Sequence, residues 1–312
     1  MTIAHKQQAQ LERLKALAER PEEQVSYALE MLAPGAGISV VQPALRVLAG
    51  RAGPEARPVL LRQYAHYATD GVKRDPGTGL RVALLNLLRP LVLPADIPLL
   101  DAACMTYEFL PPTRAEAAAE LRAAAMIVLD DLDGERAAYH AVRLLADKHT
   151  SHMSGEPGLT AARILAARER MLPLYYYAVH SAPGVSEVMS ECLRSLTPLP
   201  DALLAELVER FGSSDDEIVL AGLFDLLLEH EAGPAYHNFV LGFLRTTRKY
   251  DVYRYLVTTI VAAKKHELLP ELLTLAADEN DPRKMEILAD ALSLVRADPA
   301  VEALLRELRE RA

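Results

Sequence analysis

Residues 268–294 read LLPELLTLAADENDPRKMEILADALSL, and this stretch decides the fold class. Leu268, Leu272 and Leu275 recur at helical spacing, then Asp281-Pro282 interrupts, and Met285, Leu288 and Leu292 resume the same spacing. Apolar residues three and four apart share one face of a helix, whereas a half-buried strand would alternate at every second position. The Asp can accept from an orphan N–H at a helix start, and Pro suits the first turn because no donor is needed there. The stretch therefore predicts two short amphipathic helices joined by a tight turn.

The pattern extends along the chain. Val252, Tyr255, Leu256, Thr259 and Ile260 follow it, as do Val301, Leu304, Leu305 and Leu308. Asp75-Pro76, Glu156-Pro157, Thr197-Pro198, Ser214-Asp215 and Asp298-Pro299 mark further helix starts, giving on the order of 16 to 18 short helices. The best strand candidate, GISVVQ at 37–42, stands alone, and a lone strand cannot satisfy its backbone. The chain reads as all-α.

With 312 residues and 51% hydrophobic content, there is ample apolar surface to bury. Leu, Ala and Val dominate, Trp is absent and Phe is scarce, a mixture that suits helices packed on helices. The formal charge of −9 argues against non-specific nucleic-acid binding. Cys104 and Cys192 lie far apart with no CxxC, and read as reduced thiols of a cytoplasmic protein. The first twenty residues lack a signal-peptide h-region, and charge breaks every apolar run before membrane-spanning length.

Helix starts near Pro198, Ala232, His266 and Pro299 recur about every 34 residues, and those near Pro54, Pro94 and Gly134 about every 40. A helix pair of that size cannot bury both faces alone and must stack on the next pair. The expected organisation is one solenoid over 1–312: capping helices in 1–53, longer repeats in 54–197, shorter repeats in 198–298 and a terminal cap in 299–312. A change of repeat length is expected in the Pro-rich stretch 172–199.

The quoted stretch resembles a HEAT or armadillo-like unit, and so does DPGTGLRVALLNLL at 75–88, where Arg81 and the following Val-Ala-Leu-Leu match that family's Arg-x-x-Ala habit. Residues 215–228 look like a degenerate copy. The resemblance implies a right-handed α-solenoid of stacked antiparallel helix pairs that acts as a scaffold for a protein or peptide partner, with no cofactor and no reaction.

Several constellations compete with that reading. His230-Glu231 and His266-Glu267 resemble the His-Glu pairs with which HEAT-repeat deoxyhypusine hydroxylases hold two irons, although that family has four such pairs and this chain two. His149 and His152 could share an ion only if their segment were helical. Asp130, Asp131, Asp133 and Glu135 lack the Gly and Glu of an EF-hand loop and read as a turn capping the next helix. Tyr175, Tyr176 and Tyr177 point about 100° apart on a helix and form no single aromatic face. HExxH, GxxxxGK[ST] and GxSxG are absent from the sequence. A HEAT-like DNA glycosylase would need a basic groove lined with aromatics, which the acidic, Trp-free composition disfavours.

One charge anomaly remains. Residues 245–265 carry net +5, six basic side chains against Asp251, with tyrosines interleaved. Arg245, Arg248, Lys249, Tyr253, Arg254 and Lys265 are the candidate contacts, for an acidic partner segment.

Overall fold

The computed structural model describes residues 3–33, 36–181, 184–262, 267–295 and 299–311. The chain forms two compact units, 1–164 and 165–312. The first contains α1 (Ile3–Ala16), α2 (Pro21–Met31), α3 (Ile38–Leu48), α4 (Arg57–Ala68), α5 (Gly71–Arg74), α6 (Gly79–Leu88), α7 (Ile97–Cys104), β1 (Phe109–Leu110), β2 (Ala115–Glu116), α8 (Ala119–Leu132) and α9 (Gly134–Leu145). The boundary falls within α10 (Gly158–Ala167). The second unit continues with α11 (Met171–His180), α12 (Ser186–Arg194), α13 (Asp201–Phe211), α14 (Glu217–Glu229), α15 (His237–Thr246), α16 (Tyr250–Ala262), α17 (Leu269–Asp278), α18 (Pro282–Leu292) and α19 (Pro299–Arg311).

Helix pairs stack in both units. In the first, α2 packs on α3, α4 on α6 and α7 on α8, while α6 lies against both α3 and α8. In the second, α12, α14, α16 and α18 lie side by side, and α19 closes against α17 and α18. Small residues set the closest approach. A Cβ at Gly222 in α14 would stand 2.5 Å from the Ser190 carbonyl oxygen of α12, so no larger residue fits there without moving a backbone. Ala123, Ala124 and Ala125 along α8 are likewise small and buried.

Hydrogen bonds tie neighbouring helix pairs together. In the second unit Tyr175–Glu206, His230–Leu199, Tyr255–Asp225, Lys249–Asp215 and Lys284–Leu244 join residues 30 to 40 apart. In the first unit Gln63–Leu32, Arg57–Asp96, His140–Asp101, Arg143–Cys104 and Tyr107–Asp147 join residues 31 to 40 apart. The first unit also holds the segment that carries the β1–β2 hairpin.

That hairpin is the one departure from all-α character among the described residues. Phe109 pairs with Glu116 and Leu110 with Ala115. Two buried arginines fix its feet. Arg81, 2% exposed, donates to both Glu108 carboxylate oxygens at 2.7 Å and to Asp75 at 3.1 Å. Arg122, fully buried, donates to Glu116 at 2.9 and 3.0 Å and to the Thr106 carbonyl at 2.9 Å, with its guanidinium 4.1 Å from the Tyr107 ring centre. A buried guanidinium persists only where carboxylates and carbonyls replace its hydration, and they do so here at every nitrogen except Arg122 Nε, which has no hydrogen-bond partner among the described residues.

Helix starts follow the capping expectation with small shifts. Asp281 accepts from the Arg283 and Lys284 N–H groups at the start of α18. Asp75 caps α6 through Leu80 and Arg81, so that helix begins at Gly79 rather than at Pro76. The cap of α14 is Asp216, which accepts from Ile218 and Val219. The segment 37–42, weighed as a strand, lies at the start of α3. Asp298 lies outside the described residues.

Two stability outcomes follow. Asp216→Ala removes both cap bonds and the acceptor for the Ser186 hydroxyl, and should cost about 1 to 2 kcal/mol in a urea titration, with Asp216→Asn keeping part of it. Burial raises the Asp101 carboxyl, but hydrogen bonds from His140 and Arg136 outweigh it and hold the group below the usual carboxylate range. A depressed carboxylate stabilises the fold above its ordinary titration range, and that contribution disappears as pH falls through the folded value. Asp101→Asn should therefore lower stability at neutral pH and flatten its decline below about pH 4, as read from melting temperatures across a pH series.

Candidate functional site

The side-by-side helices of the second unit expose a polar ladder. Arg194 of α12 lies 3.1 Å from Asp225 of α14, and the Tyr255 hydroxyl of α16 donates to both Asp225 oxygens at 2.7 and 2.8 Å. Arg254 of α16 then reaches Asp290 of α18 at 3.6 Å. Burial pushes the Asp225 carboxyl up, with the Tyr255 hydrogen bond and the Arg194 charge opposing it. Exposed Glu229, Asp251 and Glu286 share these helices, so the face is acidic despite its arginines.

The charged window 245–265 spreads over several surroundings. Arg245 and Arg248, at the end of α15 and in the turn after it, are exposed and form no ion pair or side-chain hydrogen bond among the described residues. Lys249 donates to the backbone carbonyl and carboxylate of Asp215, at 3.0 and 3.1 Å. Arg254 stands on the ladder opposite Asp290. Tyr253 leaves the contact set: it is fully buried in α16. Residue 253 follows Val252 on the helix's inward side, and its ring packs 5.1 Å from the Lys284 ammonium. Lys264 and Lys265 lie outside the described residues.

Lys284 bears on the two free arginines. It is 3% exposed, and its ammonium donates to the Leu244 and Arg245 carbonyls at 2.7 and 3.1 Å. These carbonyls belong to the last turn of α15, where a cation opposes the helix dipole. That structural task is thus performed from α18, and Arg245 and Arg248 point their charge at solvent without performing it.

His230 is corrected from candidate iron ligand to structural cap. It is 4% exposed, its Nε2 lies 2.6 Å from the Leu199 carbonyl oxygen, and its Nδ1 accepts from the Ala232 N–H at 3.0 Å. Nε2 donates and Nδ1 accepts, so neither nitrogen has a lone pair left for a metal. Glu231 is exposed, and His266 lies outside the described residues. Among the described residues, no group of three or more His, Cys, Asp or Glu side chains is placed to hold a metal ion.

The remaining constellations resolve into structure. His149 and His152 sit in the non-helical connection between α9 and α10, with the His149 ring edge-on to Tyr107 and Phe109. Asp131 pairs with Arg89 at 2.6 Å, and Asp133 caps α9 by accepting from Arg136. Tyr177 is buried, Tyr175 donates to Glu206, and Tyr176 is exposed beside His180. Cys104 and Cys192 are buried free thiols, and burial pushes the Cys104 thiol up to about 12, far from nucleophilic poise. No described helix is long and apolar enough to cross a membrane.

The fold defines a repeat-like packing of helix pairs with an exposed polar surface and no assembled catalytic geometry among the described residues. Set against known protein families, curated proteins and solved structures, the chain matches none of them.

If His230 is a cap, His230→Ala should cost about 1 to 3 kcal/mol through two unpaired buried partners. The same loss should appear in urea titrations with EDTA or with added ferrous iron. Iron-dependent stability in the parent protein would return the residue to ligand candidacy.

Proposed function

We propose that the protein is a non-catalytic interaction scaffold that binds an acidic segment of a protein partner, with Arg245 and Arg248 as its exposed cationic contacts. The observation that carries this reading is the division of labour at the end of α15. Lys284 already neutralises the helix terminus, and two further arginines nevertheless stand exposed and unpaired beside it. A free guanidinium is pre-organised for bidentate carboxylate recognition. Lys249 and Arg254 can contribute only by leaving Asp215 and Asp290, so their net share is smaller. Lys265 extends the same basic run in sequence.

The HEAT-type repeat, the right-handed sense of stacking and a cytoplasmic location belong to this reading. Buried, unpaired Cys104 and Cys192 support a reducing compartment. The acidic ladder on α14, α16 and α18, together with the net charge of −9, supports protein rather than nucleic acid as the partner.

The test is fluorescence anisotropy with a labelled glutamate-rich octapeptide. Arg245→Glu combined with Arg248→Glu should weaken binding about tenfold at low salt and flatten its salt dependence, as expected for exposed steering charges. Equal binding by the charge-reversed protein would overturn the assignment.

A further inference from the structure

A groove of about 680 Å³ runs between α3 and α6 in the first unit, well away in sequence from the arginines of α15. Its volume falls within the range of small-ligand pockets, roughly 300 to 1,000 Å³. The lining combines three kinds of chemistry. Leu45, Leu80 and Leu87 give it an apolar floor. Gln42 on α3 and Asn86 on α6 bring two exposed side-chain amides, and Arg46, one turn after Gln42, brings a guanidinium. None of these three polar side chains has a hydrogen-bond or ion-pair partner among the described residues.

Two charged side chains line the groove. The Asp75 carboxylate is buried and accepts from the Leu80 and Arg81 N–H groups and from the Arg81 guanidinium, which Glu108 also engages. Arg46 is the exposed charge of the lining and has no ion-pair partner among the described residues. A guanidinium pairs best with a single carboxylate, an amide side chain matches the donor and acceptor of a backbone amide, and a leucine floor takes an aliphatic side chain. The last residue of a peptide offers all three within one residue. An internal glutamate separates its carboxylate from the backbone by two methylenes, and a fatty carboxylate would leave Gln42 and Asn86 unpaired.

We propose that the α3–α6 groove binds the free C-terminus of a partner peptide ending in an aliphatic residue, with Arg46 holding the α-carboxylate, Gln42 and Asn86 the adjacent backbone amide, and Leu45, Leu80 and Leu87 the side chain. Gly79 provides a steric plug for the test. A Cβ there meets no atom within 4 Å, so a larger side chain begins in open space at the groove wall.

The experiment measures anisotropy of a tetrapeptide, glycine-alanine-valine-leucine, labelled at its N-terminus, against the full chain. The free acid should bind saturably, and its C-terminal amide about tenfold more weakly, because the charged hydrogen bonds are lost. Arg46→Ala should match the effect of the amide, Gly79→Leu should abolish binding, and both should keep the parent circular dichroism and melting temperature. Arg245→Glu with Arg248→Glu should leave this binding unchanged, which separates it from the acidic-segment site. The proposal is overturned if the free acid does not bind, if the amide binds equally, or if neither groove variant affects binding. Competition by N-acetylleucine as strong as by unlabelled tetrapeptide would replace the peptide with a small acyl amino acid.

Discussion

The stacking depends on a carboxylate shared between repeats. Asp216 caps α14 and accepts from Ser186, the first residue of α12; Asp281 caps α18 and accepts from Tyr250, the first residue of α16. In the first unit Asp96, immediately before α7, accepts from the Leu93 N–H and from Arg57, the first residue of α4. An orphan N–H at a helix start must find a partner, and a carboxylate has lone pairs to spare after providing it. The surplus fixes the register of the neighbouring repeat. Apolar stacking alone is non-directional and would permit sliding, whereas these shared acceptors select one alignment.

The same logic explains why polar residues become invisible as sites once the chain folds. His230, Lys249, Lys284, Arg254 and Arg81 reach carbonyls or carboxylates of a neighbouring helix pair, while Arg122 pairs with the nearby Glu116 at the foot of the hairpin. Arg245 and Arg248 in the second unit, and Arg46 with two amides in the first, are among the exposed groups that have no such partner among the described residues. A scaffold built from stacked pairs saturates its internal polar groups at each junction and displays only those that no neighbouring repeat reaches.

Much of the fold was legible because helical periodicity and Asp-Pro caps are local. The two-helix reading of 268–294 corresponds to α17 and α18, and the motif around Arg81 corresponds to α6, with Arg81 itself buried. The β1–β2 hairpin carried no alternating signal, since two-residue strands are too short to show one and their stability comes from Arg81 and Arg122 instead. Charge counting marks Arg245 and Arg248, whose side chains are exposed, but it also draws in Tyr253, because interleaved aromatics in a window say nothing of which side of α16 faces inward.

The sequence by itself determined the mostly helical character, several helix starts and the need for helix pairs to stack, since these follow from side-chain spacing and backbone donors within a few residues. Tertiary structure alone decided which charges are free. The hydrogen-bond partners of Lys249, His230 and Arg57 come from 31 to 39 residues away, beyond any local pattern, and only packing brings them within reach.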